Sequence, residues 1–311
     1  MTTAHKSRVL DMTRGDPFRL VLQFSLPLFC SNMLQQVYNL TDTALAGHLL
    51  GSAALAEIGA TAALYGLIMN FAFGMNNGLA LTVSRCFGAG EREGIRRAVG
   101  WMVTLSAAVS LVLTTVSLLG RGALLQALQV PAEVWDGAAA YLTVILLGIP
   151  LTMLYNMEAA LLRAVGNSVT PLLFLLFSSV LNVGLDAAFM GPMGMGVRGA
   201  AVATVLAQGI SAVLGAVYLV RSYPELHFAP THFKKSARRA VMNMFWAGMS
   251  MGLMSAIYNL GSVALQSSIN ALGSVYITAQ TAARRMAEMY FIPGGALGIS
   301  VATFSSQNLG A

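Results

Sequence analysis

With 311 residues, of which 56% are hydrophobic and 10% charged, the chain departs from a soluble domain, which carries roughly 25% charged residues. Its 18 basic and 12 acidic side chains cannot clothe a globule of this size. A mean hydropathy of +0.69 and two cysteines exclude disorder and a disulfide scaffold. What remains is an all-α, polytopic membrane protein.

In chain order, the stretches free of Asp, Glu, Lys and Arg are 20–41, 58–84, 98–120, 137–157, 164–185, 199–220, 240–283 and 289–311. About 20 apolar residues cross ~30 Å of hydrocarbon, so each of the first six is one span. The seventh, 240–283, is too long for one, and Asn270, Gly273 and Ser274 break it near Ser268 and Val275. The last span then runs from about Val275 to Ser306 and carries Arg284, Arg285 and Glu288, spaced for pairing along one helix. Eight spans result. Strict alternation over ~10-residue segments is absent, which excludes a β-barrel.

Basic residues gather before the first span (Lys6, Arg8, Arg14, Arg19), after the second (Arg85, Arg92, Arg96, Arg97), after the fourth (Arg163) and after the sixth (Arg221, Lys234, Lys235, Arg238, Arg239). The opposite loops hold only Arg121 and Arg198. The positive-inside rule therefore predicts a cytoplasmic N-terminus in a plasma (inner) membrane of bacterial type. The net charge of +6 reads as topology and contact with anionic lipid, not as a nucleic-acid surface. The first apolar run is too long for a cleavable signal peptide.

Residues 22–89 recur in 242–311. Tyr38-Asn39-Leu40 returns as Tyr258-Asn259-Leu260, and Ser84 with Gly88-Ala89 returns as Ser306 with Gly310-Ala311. The organisation predicted is a six-helix lobe at 1–220, a basic cytoplasmic linker at 221–239, and the first two helices of a second, incomplete lobe at 240–311. Parallel repeats of this kind are a transporter trait. The expected whole would have twelve spans, of which this chain holds eight.

Four acids fall within spans: Asp42, Glu158, Asp186 and Glu288. An ionisable group at membrane depth costs at least ~2.5 kcal/mol on insertion scales, so it needs a partner or a use. At 1.5 Å per residue, Asp42 lies roughly 34 Å beyond Arg19, Asp186 roughly 22 Å beyond Pro171, and Thr204 about 9 Å below Arg198. Asn182 shares the face of Asp186 one turn earlier. Asp42, Asn182, Asp186 and Thr204 thus form one outer layer on three helices. Their hard oxygen donors suit a proton or, as the metal, sodium. The bland alternative is that both aspartates cap loops at the outer interface.

Gln35, Tyr38, Asn39 and Asp42 follow helical spacing and make a polar stripe, read as lining a cavity or else as a helix–helix hydrogen-bonding seam. Asn156 on the fourth span adds a polar contact to such a cavity, and Pro27 permits a bend in the first helix. The methionines, 18 in all, offer an adaptable wall or plain core filling. Glu158, five residues before Arg163, reads as one half of a local or loop-mediated ion pair.

Several landmarks stand in order. They are Pro27, then Leu34-Gln35-Gln36-Val37-Tyr38-Asn39-Leu40-Thr41-Asp42 with Gly47 and Gly51, then Leu162-Arg163-Ala164-Val165-Gly166-Asn167-Ser168-Val169-Thr170-Pro171. Leu181-Asn182-Val183-Gly184-Leu185-Asp186, Gly199-Ala200-Ala201-Val202-Ala203-Thr204 and Ser306-Gln307-Asn308-Leu309-Gly310-Ala311 follow. In this order and spacing the chain resembles the multidrug and toxic compound extrusion (MATE) family along its whole length. The resemblance implies twelve helices in two lobes and exchange of small organic cations for protons or sodium. It places an N-lobe cation site at Asp42, Asn182, Asp186 and Thr204, and a bend of the first helix when the acid is protonated. Some branches of the family keep a glutamate in the seventh helix; this chain has no acid at 243–268.

The dinucleotide-like Gly194-Met195-Gly196-Val197-Arg198-Gly199 lacks its strand and its acidic partner, so it reads as a loop. His5, His48, His227 and His232 are scattered, and Cys30 and Cys86 are too far apart for a disulfide. No Walker sequence and no catalytic triad spacing stand in the chain. The expectation is a cation-coupled antiporter, not an enzyme, without a cofactor, without ATP, and monomeric when complete. The rivals are a lipid-linked sugar flippase, whose cavity would carry several cationic side chains, and a non-transporting truncated subunit.

Overall fold

The computed structural model describes residues 9–227, 238–270 and 274–311. Eight long helices follow in chain order: α1 (Pro17–Leu50), α2 (Ser52–Gly88), α3 (Arg92–Leu119), α4 (Trp135–Ala164), α5 (Val169–Met190), α6 (Val197–Ser222), α7 (Arg238–Asn270) and α8 (Ser274–Gly310). A short helix, Arg121–Ala127, and 3-10 turns at Ala132–Val134 and Pro224–Leu226 fill connections that read as loops. No strand occurs among the described residues.

Among the described residues, six of the long helices are long and apolar enough to cross a membrane, and α1 is not one of them. The polar side chains of Ser31, Asn32, Gln35, Gln36, Asn39, Thr41, Asp42 and Thr43 dilute the apolar character of α1. The count of eight spans is therefore not established by composition. On the outside of the bundle, Leu111, Val112, Val116 and Leu119 of α3 are largely exposed, a surface that hydrocarbon would cover. Of the segment read as a basic linker, residues 228–237 lie outside the described residues, as do the side chains of Arg284, Arg285 and Glu288.

Helix ends follow local chemistry. Pro17 starts α1, where a missing N–H costs nothing. Gly166, with φ +84, turns the chain between α4 and α5, and a Cβ there would meet the Leu10 carbonyl oxygen at 2.2 Å. That close approach lets Leu10 N–H bond to the Gly166 carbonyl at 2.9 Å, tying the N-terminal segment under the bundle.

α4 sits at the centre of the first six helices and packs on α2, α3 and α6, while α5 bridges α6 and α1. The main core lies where α2, α3 and α4 meet, around Met75, Leu79, Met102, Leu142 and Leu146. α7 runs along α2, and α8 contacts both α1 and α2; among the described residues α7 and α8 touch each other far less. Small residues allow this closeness. A Cβ on Gly74 or Gly78 would stand 2.6 or 2.5 Å from the Met251 or Ala247 carbonyl oxygen of α7.

The repeat is visible as reciprocal contacts between α2 and α8. Ser84 Oγ donates to the Thr303 carbonyl at 3.3 Å, and Ser306 Oγ donates to the Leu81 carbonyl at 2.7 Å. Four residues on, a Cβ on Gly88 would meet the Gln307 carbonyl oxygen, and one on Gly310 the Arg85 carbonyl oxygen, each at 1.9 Å. Each contact maps onto the other under the same offset of 222 residues that relates Gly88 to Gly310.

Candidate functional site

Asp42 enters from α1, Asn182 and Asp186 from α5, and Thr204 from α6. These helices meet because α5 lies between the other two. Asp186 is 0%, Asn182 1% and Thr204 6% exposed, and Asp42 is half-buried. The Asp42 and Asp186 carboxyl groups come within hydrogen-bonding reach of each other. Asn182 Nδ2 stands beside Asp186 and donates to Thr204 Oγ1 at 3.4 Å. The four residues singled out from depth and spacing are therefore brought together.

What is missing from the cluster is a hydrogen. Asp42 Oδ1, Asn182 Oδ1 and both Asp186 carboxyl oxygens are buried without a hydrogen-bond donor among the described protein groups. Buried acceptors in a low dielectric are costly when left so. A proton shared by the two carboxyl groups satisfies part of the set; a small hard cation held by carboxylate, amide and hydroxyl oxygens satisfies more of it. The donor set thus fits either occupant.

Three tyrosines and two further polar residues surround the acids. Tyr38 OH is 3.4 Å from Thr204 Oγ1 and faces Asp42, Asp186 and Tyr65. Tyr65 of α2 and Tyr141 of α4 both face Asp42, and Tyr65 bonds to Gln208. Thr152 Oγ1 donates to Gln208 Oε1 at 2.5 Å, linking α4 to α6. Tyr65, Tyr141, Thr152 and Gln208 escaped the sequence reading. The one local signal was the helical repeat of Thr204 and Gln208 on one face of α6.

The polar stripe of α1 divides. Tyr38 and Asp42 turn into the bundle, whereas Gln35 Nε2 donates to Asn39 Oδ1 at 3.2 Å on the exposed side. Asn156 Nδ2 returns to the Thr152 carbonyl at 2.9 Å. None of Gln35, Tyr38, Asn39 and Asn156 borders the cavity of about 420 Å³ between α1, α2 and α4 on one side and α7 and α8 on the other. That cavity is bordered instead by Asn32, Phe73, Asn77, Arg163, Met251 and Ser255. Spacing of three and four puts residues on one broad face, and neighbouring helices divide that face. Within α1, Pro27 cannot donate to the helix ladder, yet the helix runs unbroken from Pro17 to Leu50.

The local ion pair read between Glu158 and Arg163 is overturned. Arg163 Nη2 donates to Asn77 Oδ1 at 3.0 Å and its guanidinium lies 5.6 Å from the Phe73 ring centroid, towards α2. Glu158 points to α6, where its Oε2 lies against Gly215. Five residues along a helix is well over one turn, so the two side chains leave in different directions. Arg14 and Asp11 form an ion pair at 4.0 Å in the N-terminal segment.

The MatE family model matches residues 27–188, just over half of the chain. The probable multidrug resistance proteins YpnP and YoeA of Bacillus subtilis are 28% and 27% identical over 97% and 94% of this chain. The chain spans 67% and 65% of their lengths. The probable multidrug resistance protein NorM of Thermotoga maritima is 26% identical over 91% of the chain, which covers 61% of that protein. A MOP superfamily transporter from Pyrococcus furiosus shares the fold with a TM-score of 0.86, at 24% identity over 97% of this chain and 67% of its own. A MATE structure described as the straight conformation gives a TM-score of 0.87 at 24% identity over 97% of this chain and 68% of its own. One described as the bent conformation gives 0.86 at 24% identity, over 100% and 68%. With the family model spanning the helices that carry Asp42, Asn182 and Asp186, the chain belongs to the MatE family of membrane transporters.

Proposed function

We propose that this chain is part of a secondary active multidrug efflux transporter that exports small organic cations against an inward gradient of protons or sodium by alternating access. The single observation that carries the reading is the Asp42–Asp186 pair, two acids in contact among acceptor oxygens that no protein donor reaches. Such a pair binds a positive charge far better than it tolerates two negative ones. Asp42, Asn182, Asp186 and Thr204 hold the coupling ion. Tyr38, which faces both acids and stands 3.4 Å from Thr204 Oγ1, transmits occupancy to the substrate path, with Gln35, Asn39 and Asn156 as polar contacts along it. Pro27 is the point at which α1 bends.

The names of the relatives from Bacillus subtilis and Thermotoga maritima support efflux of multiple drugs as the activity. The protein lies in the plasma membrane with a cytoplasmic N-terminus, acts as a monomer, and needs neither ATP nor a bound cofactor. Ethidium efflux from cells carrying the wild type, Asp42→Asn or Asp186→Asn, at imposed proton or sodium gradients, tests this. Both variants are expected to lose gradient-driven efflux; unchanged efflux in both removes the site.

One observation favours the lipid-linked sugar exporter as a second reading. Arg163 is 6% exposed, borders the cavity between the two sets of helices, and leaves Nε without a partner. A pyrophosphate would use such a group, although several cations rather than one were expected for it. Arg163→Gln with ethidium export retained is the outcome that favours the drug reading.

A further inference from the structure

Glu158 has no part in the site above, yet it is 4% exposed. It lies six residues before the end of α4, at the basic end of the bundle. Pro171, which borders its pocket, stands roughly 22 Å along α5 from Asp186. The two acidic sites therefore occupy opposite ends of one six-helix lobe.

The surroundings of Glu158 are closed and short of donors. Its Oε1 is buried without a hydrogen-bond partner, and so is the Oγ of Ser211, itself 1% exposed. Both line a cavity of about 10 Å³ with Tyr155, Leu162, Pro171 and Phe174, room for about one water molecule. Tyr155 on α4 faces the carboxyl group, and Arg163 faces Tyr155. α5 presents Pro171 and Phe174, and α6 presents Ser211 and Gly215; none of these four titrates. An anion at this place has no counter-charge in contact and no donor bonded to its Oε1, which is costly in a low dielectric. A carboxylic acid there, by contrast, brings its own hydrogen.

The inner face of α6 joins this place to the acid pair. Thr204, Gln208 and Ser211 recur at helical spacing along α6, with Gly215 one turn further on. Thr204 contacts Tyr38 and Asn182, Gln208 accepts from Thr152, and Ser211 and Gly215 meet Glu158. Polar side chains thus recur along α6 between the outer acids and Glu158.

We infer that Glu158, with Ser211, is a second proton-binding site, the inner terminus of a polar path through the first lobe from Asp42 and Asp186. The step is a proton transfer alone. A carboxylate oxygen of Glu158 takes a proton relayed from the outer pair, and the O–H bond then breaks to release that proton to water at the basic end. No other bond changes. The part of this inference that concerns coupling rests on the antiport reading; the part that concerns proton binding does not.

Infrared absorption of the protonated carboxyl C=O group tests the binding directly, in the full protein carrying Asp42→Asn and Asp186→Asn so that the outer pair is silent. A band is expected across the neutral range and is expected to vanish on adding Glu158→Gln. No such band, or the same band in both proteins, overturns the proposal. Should Glu158→Gln fail to fold, Ser211→Ala in the same background is expected to move the band to higher frequency; an unmoved band overturns the site as drawn. For coupling, acid-driven ethidium efflux by the protein with an intact outer pair is expected to be lost in Glu158→Gln, and efflux with an unchanged pH profile overturns the path. If the wild type shows no acid-driven efflux, the antiport reading falls, and the infrared measurement still decides Glu158.

Discussion

Ser84 and Ser306 bind each other's helices in a crossed pattern, each hydroxyl donating to the carbonyl three residues before its counterpart, at 3.3 and 2.7 Å. A hydroxyl-to-carbonyl bond inside a helix interface contributes on the order of 1 kcal/mol. Ser84→Ala and Ser306→Ala are therefore expected to lower stability by similar amounts, about 1 kcal/mol each. Thermal unfolding in detergent measures this. A large loss from one and none from the other would mean that the symmetry of the contact is only geometric.

The glycines beside that pair are less forgiving. Gly88→Ala and Gly310→Ala each place a methyl group 1.9 Å from a backbone oxygen, and backbone cannot rotate away as a side chain can. Overpacking of this kind costs roughly 1–3 kcal/mol. Both variants are expected to be less stable than the serine variants, with α2 and α8 driven apart. The spacing between spin labels on the two helices reports the separation, and an unchanged spacing in both contradicts the expectation.

Arg163 and Glu158 act independently if they are unpaired. In a double-mutant cycle with Glu158→Gln and Arg163→Gln, the coupling energy is expected to stay within about 0.5 kcal/mol. Asn77→Ala, by contrast, removes the acceptor of Arg163 Nη2 and is expected to cost about 1–3 kcal/mol. A coupling of several kcal/mol in the cycle would restore the ion pair that the geometry denies.

Tyr223 carries a pH dependence outside the spanning helices, directly after α6. It is 1% exposed and its hydroxyl accepts from Asn167 Nδ2 at 2.8 Å. Burial, the dominant cause, pushes its phenol up to about 12. An acid with a raised folded-state value contributes stability that is fully present below its unfolded value, about 10, and is lost as pH rises through the folded one. Wild-type melting temperature is thus expected to fall between pH of about 10 and 12. Tyr223→Phe, which starts about 1 kcal/mol lower, should fall less over that interval.

The outer acids were legible because depth in a span can be counted. Rise per residue and the position of flanking arginines put Asp42, Asp186 and Thr204 at one level, and the helices then met there. The partners that complete the cluster were illegible for the opposite reason. Tyr65 and Tyr141 look like ordinary interfacial aromatics, and only the packing of α2 and α4 turns them towards Asp42. The Glu158–Arg163 pair was misread because the two are near in sequence, and no pattern in sequence says that Phe73 and Asn77 wait for Arg163 on α2. The repeat was plain as recurring letters; that its two copies would touch through those very letters was not.

Where Gly88 and Gly310 bring two helices into backbone contact, the chain has something like a fulcrum. Main chain held against main chain, here and where Gly74 and Gly78 lie on α7, leaves no slack. Tilting one set on the other would open the far rim widely while shifting this point little. Parting the near rim means first lifting the carbonyls of Leu81 and Thr303 off their serines, so the two ends of the molecule do not swing with equal ease.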